Sequence, residues 1–153
     1  MSEDGGAPPD ESARGRVAAL DLGARRIGVA YSDSRRTLAS PWGMLERSGD
    51  PVHDRKALVE VISEVEAGTV VIGLPLSLSG KRGPAAREAL SEVDALRAIL
   101  EPMGVTVETA DERFTTVEAQ RSLTASGRKG RAARAVVDSA AAMVLLQAWL
   151  DKA

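Results

Sequence analysis

Four carboxylates stand at conspicuous places in the chain. Asp21 interrupts the apolar run VAALDLG, Asp111 and Glu112 follow directly on VTVETA, and Asp138 opens the alanine-rich stretch DSAAAMVLL. An ionised carboxylate inside a strand pattern is costly unless a cation or several donors compensate it, so Asp21 needs a partner. Two kinds are available: Arg25 or Arg26 across the adjoining turn, or a metal ion. Gathered at one place, such acids would repel one another, and hard divalent cations such as Mg²⁺ or Mn²⁺ are the natural counter-charge because they prefer oxygen ligands and share their sphere with phosphates. Two ions roughly 3.5–4 Å apart can activate a water and stabilise the leaving oxygen of a phosphodiester. That chemistry requires neither cysteine nor histidine.

The chain supplies little of either. With no cysteine it can form no disulfide, thiolate zinc site or cysteine nucleophile. Its one histidine, His53, sits in the polar start of an expected helix, where a solvated role is expected, and a lone histidine cannot make a paired-histidine metal motif. A net charge of −2 announces no nucleic-acid partner globally, so such a partner would have to be held by local charge. The aromatics Tyr31, Trp42, Phe114 and Trp149 are too few for a stacking platform. No apolar run reaches the length of a membrane span, which predicts a soluble, cytoplasmic protein without membrane contact.

The elements that would position the acids can be read in order. Residues 1–14, MSEDGGAPPDESAR, are polar and rich in Gly and Pro, and are expected to be a disordered tail; residues 15–153 make a single domain. RVAALDLG and RIGVAYSD are joined at Gly23-Ala24-Arg25, predicting an antiparallel hairpin. TLASPWGMLER adds a third strand that Pro41 confines to an edge. A helix capped by Asp50, with Pro51 at its first position, runs to about Glu66 on Val52, Leu58, Val59, Ile62 and Val65. TVVIG is a short buried strand, GLPLSLSGKRG a loop, and residues 84–101 a helix ending before Pro102 and Gly104. VTVETA is a further strand, DERF turns into a helix capped by Thr115 with Glu118, and SGRKGRAAR is a basic break before a final helix through Trp149. The expected fold class is α/β, a mixed sheet with an antiparallel hairpin edge, parallel strands beyond it and flanking helices. Strand ends in such a sheet gather at one edge, where the carboxylates could meet.

Taken together, LDLGARRIGVAYSD, VVIGLPLSLSG, DERFTT and VVDSAAAMVLLQ resemble the YqgF/RuvX family of RNase H-like proteins, over about Arg16 to Leu150. The resemblance implies an RNase H-like fold and a Mg²⁺- or Mn²⁺-dependent nuclease, associated with 5′-end maturation of pre-16S ribosomal RNA or with resolution of Holliday junctions. By position it implies Asp21, Glu112 and Asp138 as catalytic metal ligands, with Asp111 as a further neighbour. TVVIG runs into LPLS without the acid that related resolvases place there, and DERFTT supplies one from another strand. The count of metals, one or two, is left open.

Phosphate contacts would come from the loop residues Ser77, Lys81 and Arg82, from Arg113 beside Glu112, and from Arg128, Lys129, Arg131 and Arg134. The partner is a nucleic acid, structured RNA or branched DNA, recognised by shape rather than base readout. A resolvase cutting two symmetric strands should be a homodimer, whereas trimming an RNA end suits a monomer. Ordinary roles compete with each assignment. Asp21 could pair with Arg25 or Arg26, Asp138 could simply cap its helix, Asp111 and Glu112 could be turn residues, and GRKGRAAR a solvated loop. Against the nuclease stand a non-catalytic nucleic-acid-binding module and an actin-like phosphotransferase. The latter needs a second phosphate hairpin, which this chain lacks.

Overall fold

The hairpin comes first, as expected. Strand β1 (Arg16–Leu22) and strand β2 (Arg26–Ser32) pair antiparallel from Ala18↔Tyr31 to Leu22↔Ile27 in the computed structural model, which describes residues 14–74, 83–111 and 139–152. Their turn depends on Gly23. Its N–H donates to the Arg26 carbonyl at 3.0 Å, and a Cβ at this position would stand 2.6 Å from that same oxygen, so no other residue fits unshifted.

Strand β3 (Ala39–Glu46) pairs antiparallel with β2 at the outer edge of the sheet. Its register slips opposite Val29/Ala30, next to Pro41, whose missing N–H is tolerated there. On the other side of β1 lie β4 (Ala67–Leu74) and β5 (Thr106–Asp111), both parallel, giving the order β3-β2-β1-β4-β5. Strand β4 is longer than the TVVIG core that announced it, and Asp111 is the last residue of β5 rather than the first beyond it.

Helix α1 (Pro51–Glu64) connects β3 to β4, and α2 (Pro84–Leu100) lies between β4 and β5 in sequence. The Asp50 carboxylate caps α1, accepting from Val52 N at 3.0 Å, with Pro51 at the first position. One expectation fails in the first turn. Val52 is 67% exposed, and Asp54 turns inward instead, accepting from Ser48 N and Ser48 Oγ. Those bonds hold the Asp54 carboxyl below its ordinary value. Helix α2 passes into a 3₁₀ turn, Glu101–Met103, close to the stop that Pro102 and Gly104 predicted.

The sheet is covered on both faces. Leu58 and Ile62 of α1, with Val93, Leu96 and Leu100 of α2, pack on Leu20, Ile27, Val29, Val70 and Ile72. The last helix, α3 (Ala140–Lys152), lays Ala142, Met143, Leu145 and Leu146 on Val17, Ala19, Ala30 and Val71. Small residues on β1 and β2 let this helix approach the sheet closely. Among the described residues no helix is long and apolar enough to cross a membrane. The expected helix after Thr115 and the basic break SGRKGRAAR fall outside the described residues.

Candidate active site at the Asp21 end of the sheet

Successive side chains of a strand point to opposite faces, so the register decides which side Asp21 occupies. Leu20 and Leu22 belong to the α1/α2 side, while Val17 and Ala19 belong to the α3 side. Asp21 therefore stands on the α3 face, partly exposed. Its register partner on β2 is Gly28. On β4, one step beyond the Leu20↔Ile72 pair, its neighbour is Gly73. The row across the sheet continues to Met44 beside Gly28 and to Ala110 beside Gly73. Asp21 thus rises between two buried residues that have no side chains. Glycine inside a strand marks just such a close approach. The glycines of RIGVA and VVIGL carry that signal in the sequence itself.

The Arg pairing weighed for Asp21 does not form: among the described residues neither Arg25 nor Arg26 makes an ion pair with it. Both arginines are exposed. The turn that follows Asp21 is tied down by a different cation. Arg47 Nε donates to the Gly23 carbonyl at 2.8 Å, while its terminal nitrogens reach both Glu92 oxygens at 2.9 and 3.2 Å. This bidentate, charge-assisted pair anchors the end of β1 to α2.

The direction of α3 follows from Gln147. Its Oε1 accepts from Ala39 N at 2.9 Å and its Nε2 donates to Thr37 O at 3.1 Å. Ala39 pairs with Ser32, whose Oγ accepts from Val17 N, so Gln147 lies over the Val17 end of β1. Ala142 and Met143, one turn earlier, are fully buried in the cluster that holds Ala19 and Ala30, while Asp151 and Lys152 are exposed. The helix therefore starts toward the Asp21 end and points its electropositive terminus that way.

Asp111 pairs with Leu74, a member of the α1/α2-side core, and so lies on the face opposite Asp21. Glu112, Asp138, Arg113, Ser77, Lys81, Arg82, Arg128, Lys129, Arg131 and Arg134 lie outside the described residues. Among the described residues there is no group of three or more His, Cys, Asp or Glu side chains that could hold a metal ion.

Comparison with solved structures places this fold in the RNase H-like class. The RuvC of T. thermophilus in complex with a Holliday junction substrate superposes with a TM-score of 0.58 at 13% identity, over 90% of this chain and 95% of that one. The fowlpox virus Holliday junction resolvase gives 0.55 at 8% identity, over 90% and 98%. The chain belongs to the RuvX family, whose profile, described as Holliday junction resolvase, matches residues 15–152. Among its relatives, a Mycobacterium sp. (strain KMS) protein named "Putative pre-16S rRNA nuclease" is 42% identical over 139 residues, 91% of this chain and 81% of its own. A protein of the same name from Mycolicibacterium paratuberculosis is 42% identical over 147 residues, 96% of this chain and 86% of its own.

Proposed function

We propose that this chain is a divalent-metal-dependent nuclease that hydrolyses phosphodiester bonds in 5′-end maturation of pre-16S ribosomal RNA. The observation that carries this reading is the setting of Asp21: a carboxylate without a cationic partner among the described residues, on a central strand, between Gly28 and Gly73. Such a cradle fits a hydrated hard cation and an approaching phosphate. A bound Mg²⁺ or Mn²⁺ would supply an activated water and charge stabilisation at the leaving oxygen.

The protein's own part in this is positional. Asp21 is fixed by the β1 ladder and by the Gly23 turn that Arg47 holds. Asp111 lies on the face opposite Asp21, and Glu112, the next residue in the sequence, is the second ligand in this reading. Asp138 stands two residues before α3 in the sequence, the helix directed at the Asp21 end, and is the third ligand in this reading. Arg113, Ser77, Lys81, Arg82, Arg128, Lys129, Arg131 and Arg134 are proposed to contact substrate phosphates, giving salt-sensitive affinity.

Relatives at 42% identity carry the pre-16S rRNA name, which supports RNA as substrate. The family description and the RuvC-type fold support a second reading, resolution of four-way DNA junctions. The test incubates the purified protein and its Asp21→Asn variant with a pre-16S 5′ fragment and with a four-way junction, with and without Mn²⁺. Mn²⁺-dependent cleavage of the RNA, lost by at least 100-fold in the variant, is expected. Cleavage of the junction alone selects the second reading. RNA binding that ignores both chelator and the substitution would leave a non-catalytic binding module.

A further inference from the structure

The sheet geometry singles out a cation that neither the metal chemistry nor the fold requires. Arg26 is the first residue of β2, two positions before Gly28. Ile27 packs on the α1/α2 side, so Arg26 and Gly28 share the other face, the one that carries Asp21. Two residues of rise and one strand spacing put the Arg26 and Asp21 backbones about 8–9 Å apart. Gly28 lies between them and raises no side chain. Gly28 itself is buried while Arg26 is exposed, and an extended guanidinium spans that distance toward whatever binds at Asp21.

Among the described residues Arg26 makes no ion pair. Its register partner on β3 is Glu46, on the same face, yet the two form no ion pair. The neighbouring Arg47 behaves in the opposite way, engaged with Glu92 and the Gly23 carbonyl. An open cavity of about 550 Å³ lies against the same turn. Arg25, Arg26 and Arg47 line it with Glu46 and Asp54, and Arg47 is already engaged with Glu92 and the Gly23 carbonyl.

We infer that Arg26 binds a backbone phosphate of the substrate strand next to the scissile one, and so orients that strand across Asp21. This inference rests on the nuclease reading and names a contact within it. Arg26 is a positioning residue: it takes no proton and touches no reacting atom. Its planar fork suits a phosphodiester, and the contact is independent of base identity. Glu46, beside it, opposes the same phosphate.

The test measures binding and cleavage separately. A 5′-fluorescein-labelled pre-16S fragment and a labelled four-way junction are titrated, in chelator, with wild type, Arg26→Gln, Arg26→Lys, Glu46→Gln and, as a control from the far end of β2, Arg35→Gln. Arg26→Gln is expected to weaken binding about tenfold and to lower the slope of log affinity against log salt by about 0.9, one phosphate contact. Arg26→Lys recovers most of the affinity, Glu46→Gln tightens binding, and Arg35→Gln leaves the slope unchanged. In Mn²⁺ the loss appears in KM more than in kcat.

Equal affinity and salt slope in wild type and Arg26→Gln overturn the inference while leaving the nuclease intact. So does a parallel loss of thermal stability in Arg26→Gln and Glu46→Gln, the mark of a structural cross-strand pair. If wild type binds neither probe and cuts neither in Mn²⁺, the nuclease reading itself fails.

Discussion

At the Arg16 end of β1, Ser32 Oγ accepts from Val17 N at 2.9 Å and donates to Asp33 O at 2.8 Å. Arg36 donates to the carbonyls of Gly15 and Arg14 and to Thr69 Oγ1, and Gln147 binds both Thr37 and Ala39. At the Leu22 end of the same strand, a carboxylate stands between two glycines and two exposed arginines leave it unpaired. One strand therefore has an end whose polar groups are satisfied by the fold and an end whose carboxylate has no cationic partner among the described residues. Buried polar groups that pair internally add to stability, whereas local rules are broken where a site must be kept open. The difference predicts that substitutions at the first end change stability without changing chemistry, and those at the second change chemistry without changing stability.

The largest effect should come from closing the open end. In Gly28→Val the branched side chain fills the space beside Asp21 at a buried position of β2. Cleavage should fall by about 100-fold, or roughly 2.7 kcal/mol of transition-state stabilisation. Mn²⁺ affinity, followed by calorimetry, should fall with it. A variant that cuts as wild type does would show that the glycine serves packing alone.

The converse test is made at the closed end. Gln147→Leu keeps the volume of a fully enclosed side chain, 3% exposed, but strands the Ala39 N–H and the Thr37 carbonyl. The expected cost is about 2–4 kcal/mol in urea unfolding, with kcat at 25 °C unchanged below the transition. An equal loss of kcat would mean that the two ends of α3 are coupled and that the contrast between them is false.

How much of this was legible beforehand differs along the same line. The Gly23 turn, the edge position imposed by Pro41, the Asp50–Pro51 helix start and the division into antiparallel and parallel halves all rest on local chemistry, and a sequence carries local chemistry openly. Val52 was misplaced because the bonds from Ser48 that draw Asp54 inward depend on how β3 delivers Ser48 to the helix. Gln147 was overlooked because its partners lie more than 100 positions away in the chain. The side of the sheet on which Asp111 falls needed the register with Leu74, which alternation within VTVETA alone does not supply. Asp21 itself was visible as an acid in an apolar run, yet the glycines that make its position useful become neighbours only when three strands are laid side by side.

The smallest predicted effect belongs to the closed end and is seen only in acid. Burial by itself would raise the Asp33 carboxyl, but hydrogen bonds from the Thr37 hydroxyl and from the Leu38 and Thr37 amides outweigh it and hold the group below its ordinary value of 3.8. A carboxyl depressed in the folded state stabilises the fold above the unfolded value, near pH 4, and loses that contribution as pH falls through the folded one. Asp33→Asn should therefore be about 1 kcal/mol less stable than wild type at pH 7, since three donors lose a charged acceptor. The gap between the two proteins should narrow below about pH 4. Asp54 is depressed in the same direction by Ser48 and is present in both proteins, so comparing the pair isolates Asp33. A gap that stays constant from pH 7 to pH 3 would mean that the turn is held by its backbone geometry and not by the charge on Asp33.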